Sequence, residues 1–257
     1  MLKGLYTAHT GLVNEQNRMD VLTNNLANAS TVGYKKEGAT SQAFDDILSY
    51  KIKDTSESPN TAKRLGTLNM GVKIGENYTD YSQGSFRVTG NTYDLALAGD
   101  GFFTVQFTNK DGETSTKYTR DGSFTLDKNG YLVTADGDYV MGKNGRIKLD
   151  TLKEATISND GVITQDGVQV ATLRITDFED YDYLEKYGEN YYQPVDGAKV
   201  KDADVQVKSG YLEMSNVQVV SEMVNLISIT RAYESNQKIV QTYDDTMDIA
   251  VNRIGKV

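Results

Sequence analysis

The sequence predicts an α+β, multidomain protein: an antiparallel, all-β middle domain held between two long terminal helices that pack together as one discontinuous coiled-coil domain. Three observations predict it. Apolar residues recur every seven positions at both ends, Asp-Gly or Asn-Gly pairs punctuate the middle, and charge divides along the same boundaries. Residues 1–36 carry four basic and two acidic groups, residues 206–257 five and six, and residues 37–205 18 and 28. The acidity belongs to the middle.

At the N-terminus Leu5, Leu12, Met19 and Leu26 stand seven apart, and Met1, Ala8, Leu22 and Ala29 occupy positions three further on. Glu15 is the charged interruption. Helical from Leu2 to Asn28, this segment would be about 40 Å long and would need a partner for its apolar stripe. The C-terminus repeats the pattern in Val219, Leu226, Tyr233, Val240, Met247 and Ile254, alternating with Met223, Thr230, Gln237, Asp244 and Val251. "SNVQ" at Ser215–Gln218 fits a capping box that opens this helix. Further apolar residues beside the seams, among them Val13, Ile227, Ile229 and Ile249, ask for burial on a second face, as subunit packing would supply.

Asp-Gly or Asn-Gly pairs begin at Asp100, Asp111, Asp121, Asn129, Asp136, Asn144, Asp160, Asp166 and Asp196, separating short segments such as "FFTVQF" and "YLVTA". These pairs suit type I′ hairpin turns, and their spacing predicts an all-β domain over residues 71–205. Residues 37–70 read as a linker or extended arm, with one short helix around Ala43–Tyr50. The helical domain is then 1–36 with 206–257.

Composition narrows the chemistry. A net charge of −9 repels phosphate backbones, so nucleic acid is not an expected partner. With no cysteine and His9 as the single histidine, thiolate chemistry is excluded and His-rich metal sites are not expected; His9 is expected at the surface. No apolar run suits a cleaved signal peptide or a membrane span, so no membrane insertion is expected. Carboxylate clusters such as "DFEDYDYLE" read as solvated turns rather than a glycosidase acid pair. Asp127, Asn129, Gly130 and Asp136 match part of a calcium loop, but Thr125 takes its first ligand position and Asp136 its last. No catalytic group, metal or cofactor is predicted. The non-assembling alternative is a secreted β-sandwich adhesin or carbohydrate-binding module using the tyrosines of "DYDYLEKYGENYY".

"NNLANASTVGYK", Asn24–Lys35, resembles the N-terminal signature of the flagellar rod and hook family, carried by Ala27, Asn28, Thr31, Gly33, Tyr34 and Lys35 after Asn24, Asn25 and Leu26. "SNVQVVSEMVNLISITRAYESNQKIVQ" resembles the C-terminal signature at Ser215, Asn216, Val217, Glu222, Leu226, Ile227, Arg231, Ala232, Tyr233, Glu234 and Asn236, with Thr230 where the family usually has Gln. "QGSFRVTGNTYDLALAGDGFFTV" and "YTRDGSFTLDKNGYLVTADGDYVM" are similar to the β domain of the larger members. The resemblance implies a structural subunit, not an enzyme. It implies a helical homopolymer whose terminal helices line a tube, and a drive shaft passing torque from motor to hook. Length and a single β domain favour a distal rod position, with a proximal relative next. Implied partners are the chain itself, adjacent rod proteins, the hook protein, the flagellar type III export apparatus and possible rings. The implied location is the basal body, reached without a cleaved signal peptide. The signature residues, with the seam residues Leu5, Leu12, Met19, Leu22, Val240 and Met247, form the expected assembly interface. In it Asn24, Asn25 and Asn28 satisfy backbone groups or neighbours at the helix end, and Gly33 turns the chain away.

Overall fold

The computed structural model describes residues 2–51, 63–109, 112–188 and 190–254. Met1 of the first apolar stripe and Asp111 of the turn series lie outside the described residues. The chain forms two compact units: Met1–Ala27 with Glu37–Asp80 and Gln218–Val257, and Asn28–Lys36 with Tyr81–Val217. Contacts divide the chain at 27/28, 36/37, 80/81 and 217/218; the expected 36/37 boundary is among these places, and 70/71 and 205/206 are not.

The first unit is built on helix α1 (Leu2–Ala27) and helix α2 (Val219–Ile249), the latter continued by a π-helical turn over Ala250–Ile254. Low numbers on α1 meet high numbers on α2, so the two run antiparallel. A Cβ at Gly4 would stand 2.8 Å from Tyr243 Cζ, and one at Gly11 would stand 2.9 Å from Asn236 Nδ2. Glycine lets the second helix come this close.

On α1, Leu5, Leu12, Met19, Leu22 and Leu26 are half-buried and Ala8 is buried. On α2, Leu226, Tyr233, Val240 and Met247 are likewise half-buried, but Val219 is exposed. The alternating half of the second seam needs correction. Met223, Gln237, Asp244 and Val251 face solvent, whereas Glu222 and Ile229 are buried and Asn236 and Tyr243 meet the glycines of α1. The buried stripe steps three residues on from each heptad position rather than four, which keeps Gln237 and Asp244 in water.

The capping box does not form either. Helix α2 starts at Val219 after Gln218, which makes no side-chain cap bond. The Ser215 hydroxyl instead accepts from Val217 N at 3.3 Å. That bond holds the Ser215–Val217 backbone in a local turn, outside the helix.

Among the described residues 37–70, strands rather than a linker or helix cover 37–43, 47–51 and 63–68, with irregular chain at 44–46 and 69–70. Glu37–Ala43 pairs antiparallel with Val72–Thr79, and Ile47–Lys51 with Lys63–Leu68 in the register Ile47↔Leu68. The helix expected over Ala43–Tyr50 is replaced because a strand partner, distant in sequence and invisible to a local pattern, takes its backbone bonds.

The second unit is all β. Among the described residues a ten-stranded sheet runs from Leu184–Tyr187 through Tyr191–Pro194, Thr114–Thr119, Phe102–Thr108, Tyr139–Gly142 and Leu132–Val133 to Thr125–Leu126. Three short strands branch from that path, and a separate three-stranded sheet spans Ala155–Thr172. Leu95, Leu97, Phe103, Val105, Leu132 and Ile163 lie in one apolar core; Phe102, Tyr118, Phe178 and Tyr192 form a second cluster.

Six of the predicted turns, at Asn129, Asp136, Asn144, Asp160, Asp166 and Asp196, are present, mostly of another type, while Asp100 sits at a bend and Asp121 in irregular chain. Gly130 N donates to Asp127 O and Asp127 N to Tyr131 O, both at 2.8 Å, and Thr134–Asp138 and Ser158–Val162 repeat this pairing. Only the glycine has positive φ in each, which is a type I turn closed by a glycine bulge. Asp166 (φ 50) and Gly167 (φ 78), linking the paired Gln165 and Val168, form the both-positive type I′ turn.

Candidate functional site

Where α1 ends, the chain leaves the helical unit through an asparagine-rich turn. Asn25 is fully buried, its amide donating to Glu37 O at 2.7 Å and its Oδ1 accepting from Glu37 N at 2.9 Å. It clasps the backbone of the following strand. Asn14 does the same work further back, exchanging bonds with the Ser41 hydroxyl at 3.0 and 3.2 Å. Asn25 and Asn14 together pin α1 to the strand Glu37–Ala43.

In the β unit the N-terminal signature meets one carboxylate, Glu213, which lies two residues before the C-terminal signature. Lys35 Nζ donates to Glu213 Oε1 at 2.7 Å and to Ser82 O at 2.8 Å, with both charged side chains 1% exposed. Arg120 Nη1 holds the other oxygen, Oε2, at 3.3 Å, and Gly84 N donates to Oε1 at 3.0 Å. Asn216 accepts from Lys36 N at 2.8 Å and donates to Ser82 O and Oγ at 3.2 and 3.0 Å. Gly33 N donates to Glu213 O at 2.8 Å. Three chain passages, at Lys35–Lys36, Ser82–Gly84 and Glu213–Asn216, are thus tied to one another.

Gly33 lies at φ +70, and a Cβ there would stand 2.6 Å from Arg120 C and 2.7 Å from Asp121 Cα. Only glycine fits. Beside it Asp121 takes two bonds from Ser123, N–H at 2.9 Å and hydroxyl at 2.7 Å, while burial pushes its carboxyl above the ordinary 3.8 against the pull of those bonds. Tyr34 is buried under Lys186, whose Nζ sits 4.1 Å from the ring centroid. Thr31 donates to Asn28 Oδ1 at 3.0 Å, closing the turn after the helix.

Of the predicted interface residues, Asn25, Asn28, Gly33, Tyr34, Lys35, Ser215, Val217 and Glu222 are buried within the chain itself. Asn24, Ala27, Ile227, Arg231 and Glu234 are exposed, and Thr31, Asn216, Ala232 and Asn236 are half-buried. The signatures therefore mark two things: a sealed clasp and one outer helix face. That outer face carries Val220 at 77% exposure, Val224 at 58%, Ile227 at 54% and Met223 at 47%. From Val219 to Thr230 the one charged residue is Glu222, and it is buried. Sequence reasoning missed Arg120, Glu213, Ser82 and Gly84 as members of the clasp, and Gly4 and Gly11 as the close-approach points of α1. Arg120 sits within the quoted "YTRDGS", but nothing in its local pattern shows that a carboxylate distant in sequence will meet it.

Other expectations resolve plainly. His9 is exposed, as expected. The loop with partial calcium spacing is a glycine-bulge hairpin in which the amide of Asn129 is tied to Asp127 Oδ2 at 3.1 Å. Three tyrosines of the acidic stretch pack inward or bond, while Tyr183 and Tyr187 are exposed: Tyr192 is buried beside Phe102, Tyr181 donates to Asp177 at 2.7 Å, and Tyr191 donates to Asp138 at 2.9 Å. Burial first, and then those carboxylates, raise both phenols above their usual range. No helix among the described residues is long and apolar enough to cross a membrane.

The β unit carries a sealed ion cluster at its chain crossings and the helical unit a helix pair with an uncharged outer stripe, features that suit a structural subunit. Known proteins agree. Residues 5–35 match the family described as "Flagella basal body rod protein", residues 96–165 "Flagellar hook protein FlgE/F/G D1 domain", and residues 208–253 "Flagellar basal body rod FlgEFG protein C-terminal". The flagellar basal-body rod protein FlgG of Bacillus subtilis (strain 168) is 36% identical, covering 98% of this chain and 99% of its own. FlgG of Buchnera aphidicola subsp. Schizaphis graminum is 35% identical over 96% of this chain and 98% of its own. The basal-body rod protein FlgF of Caulobacter vibrioides is 35% identical over the whole of both chains. The chain belongs to the flagellar basal-body rod protein family.

Proposed function

We propose that this chain is a distal rod subunit that polymerises helically into a tubular drive shaft carrying torque from motor to hook. The observation that carries the proposal is the uncovered apolar stripe of α2, Val220, Met223, Val224 and Ile227, which the chain's own helix pair leaves in water. Burying one such side chain is worth about 1.5–3 kcal/mol, and a lattice repeats the gain at every subunit. The clasp around Glu213 supports the mechanical part, because a cluster sealed from solvent fixes geometry where a looser one would creep under load.

The distal position is supported by length and by the single β unit; relatives named FlgG and FlgF match about equally. The partners that follow are further copies of the chain, adjacent rod proteins, the hook protein and surrounding rings, with export through the flagellar type III apparatus without a cleaved signal. The full-length match to rod proteins leaves the adhesin alternative without support. Gold labelling of an epitope-tagged copy in purified basal bodies tests the position. Label along the hook-side rod is expected, whereas label confined to the base of the rod would overturn the distal assignment.

A further inference from the structure

The tripeptide Lys-Asn-Gly occurs twice in the chain, at residues 128–130 and 143–145, and these hold its two Asn-Gly pairs. An asparagine before glycine is chemically vulnerable, because a residue with no Cβ leaves its backbone nitrogen open to the neighbouring side-chain amide. Asn129 and Asn144 have the same residue on either side, so a difference in their reactivity belongs to the fold.

Asn129 is held. Its side-chain amide donates to Asp127 Oδ2 at 3.1 Å, and Gly130 N donates to Asp127 O at 2.8 Å. Gly130 O accepts from Leu149 N at 2.7 Å, and a Cβ on Gly130 would strike Leu149 O. Both the nitrogen that would attack and the amide that would leave are engaged, in a turn pinned from the neighbouring chain.

Asn144 is exposed in a two-residue loop between the strands Tyr139–Gly142 and Gly145–Arg146, which pair as Gly142↔Gly145 and Met141↔Arg146. Among the described residues no side-chain hydrogen bond holds it, and open space surrounds the place of a Cβ on Gly145. The strand that begins at Gly145 is two residues long, and such a terminal rung opens locally at little cost.

We infer that Asn144 is a modification site that converts without an enzyme to aspartate and isoaspartate, while Asn129 in the same tripeptide stays intact. Gly145 N attacks Asn144 Cγ and gives up its proton; the N–Cγ bond forms, the Cγ–Nδ2 bond breaks, and ammonia departs to leave a cyclic imide. Water from the solvent then opens the imide at either carbonyl, so asparagine and water become the acid and ammonia. Either product sets a carboxylate between exposed Lys143 and Arg146, and isoaspartate lengthens the main chain of the loop that closes on the Gly142↔Gly145 rung. This chemistry is independent of assembly.

Full-length native protein is kept in mildly alkaline buffer, one sample folded and one in urea, then digested at acid pH and its peptides separated and weighed. In the folded sample Asn144 is expected to convert at least about tenfold faster than Asn129, because the bonds around Gly130 must open first. In urea the two should convert at nearly the same rate. Equal conversion in the folded sample, faster conversion at Asn129, or an Asn144 that stays intact while the urea sample reacts would each overturn the assignment. A urea sample in which Asn144 keeps its full lead overturns it as well, since the difference would then lie in the local sequence.

Discussion

Replacing Lys35 by methionine keeps the side-chain length and removes its charge and its donors. In the native chain that ammonium bonds Glu213 Oε1 at 2.7 Å and Ser82 O at 2.8 Å, and neither charged side chain is more than 1% exposed. Removing one partner of a buried pair costs about 3–5 kcal/mol because the other charge stays buried. Glu213 keeps the Gly84 N–H and the Arg120 guanidinium, so about 3 kcal/mol, the lower end of that range, is expected. At about 2–4 °C per kcal/mol for a domain of this order, the thermal midpoint of the β unit should fall by about 6–12 °C. Thermal melts of the full chain followed by near-ultraviolet circular dichroism measure the midpoint, and urea unfolding measures the free energy. Lys153→Met serves as the comparison: its 2.6 Å pair with Asp166 has side chains 47% and 63% exposed, and losing it should leave the midpoint in place. A Lys35→Met loss under about 1 kcal/mol, the range of surface pairs, would refute the argument that the clasp is sealed.

Gly33→Ala should cost at least about 3 kcal/mol, since it adds a backbone clash to the penalty for positive φ. Gly137→Ala, at φ +92 with open space around the Cβ, should cost only about 1 kcal/mol in the same melts. The raised Asp121 carboxyl means that the folded state binds a proton more tightly than the unfolded one. Its contribution to stability is therefore lost as pH rises from about 3.8 through the raised value. Asp121→Asn should flatten that part of the stability profile and match the native slope below it, as urea midpoints at stepped pH will show. Ile229→Ala should cost about 2–5 kcal/mol of helix-pair stability and Thr230→Ala well under 1, by far-ultraviolet circular dichroism; equal losses would restore the four-residue step.

How much was legible follows from where the information sits. The heptads of Leu5–Leu26 and Leu226–Met247 are local patterns, and both helices formed close to their expected spans. Which side of the heptad is buried was not local: Gly4 and Gly11 decide it by admitting Tyr243 and Asn236. The Asp-Gly and Asn-Gly series marked six turns but not Asp100 or Asp121, and turn type depends on whether the residue before glycine adopts positive φ, which only Asp166 among the described residues does. Ile47–Lys51 looked helical because its strand partner begins beyond any short window. In the clasp, Lys35 was legible through its signature. Glu213 and Arg120 were not, since a buried ion pair needs the folded chain to bring its members together.

The proposed role requires this chain to polymerise through its terminal helices into a rod. Electron cryomicroscopy of concentrated full-length protein tests it most directly. The expected result is tubular filaments with α1 and α2 lining a central channel and the Val220–Ile227 stripe buried between subunits. Filaments in which that stripe remains in solvent, or a protein monomeric at every concentration, would contradict it.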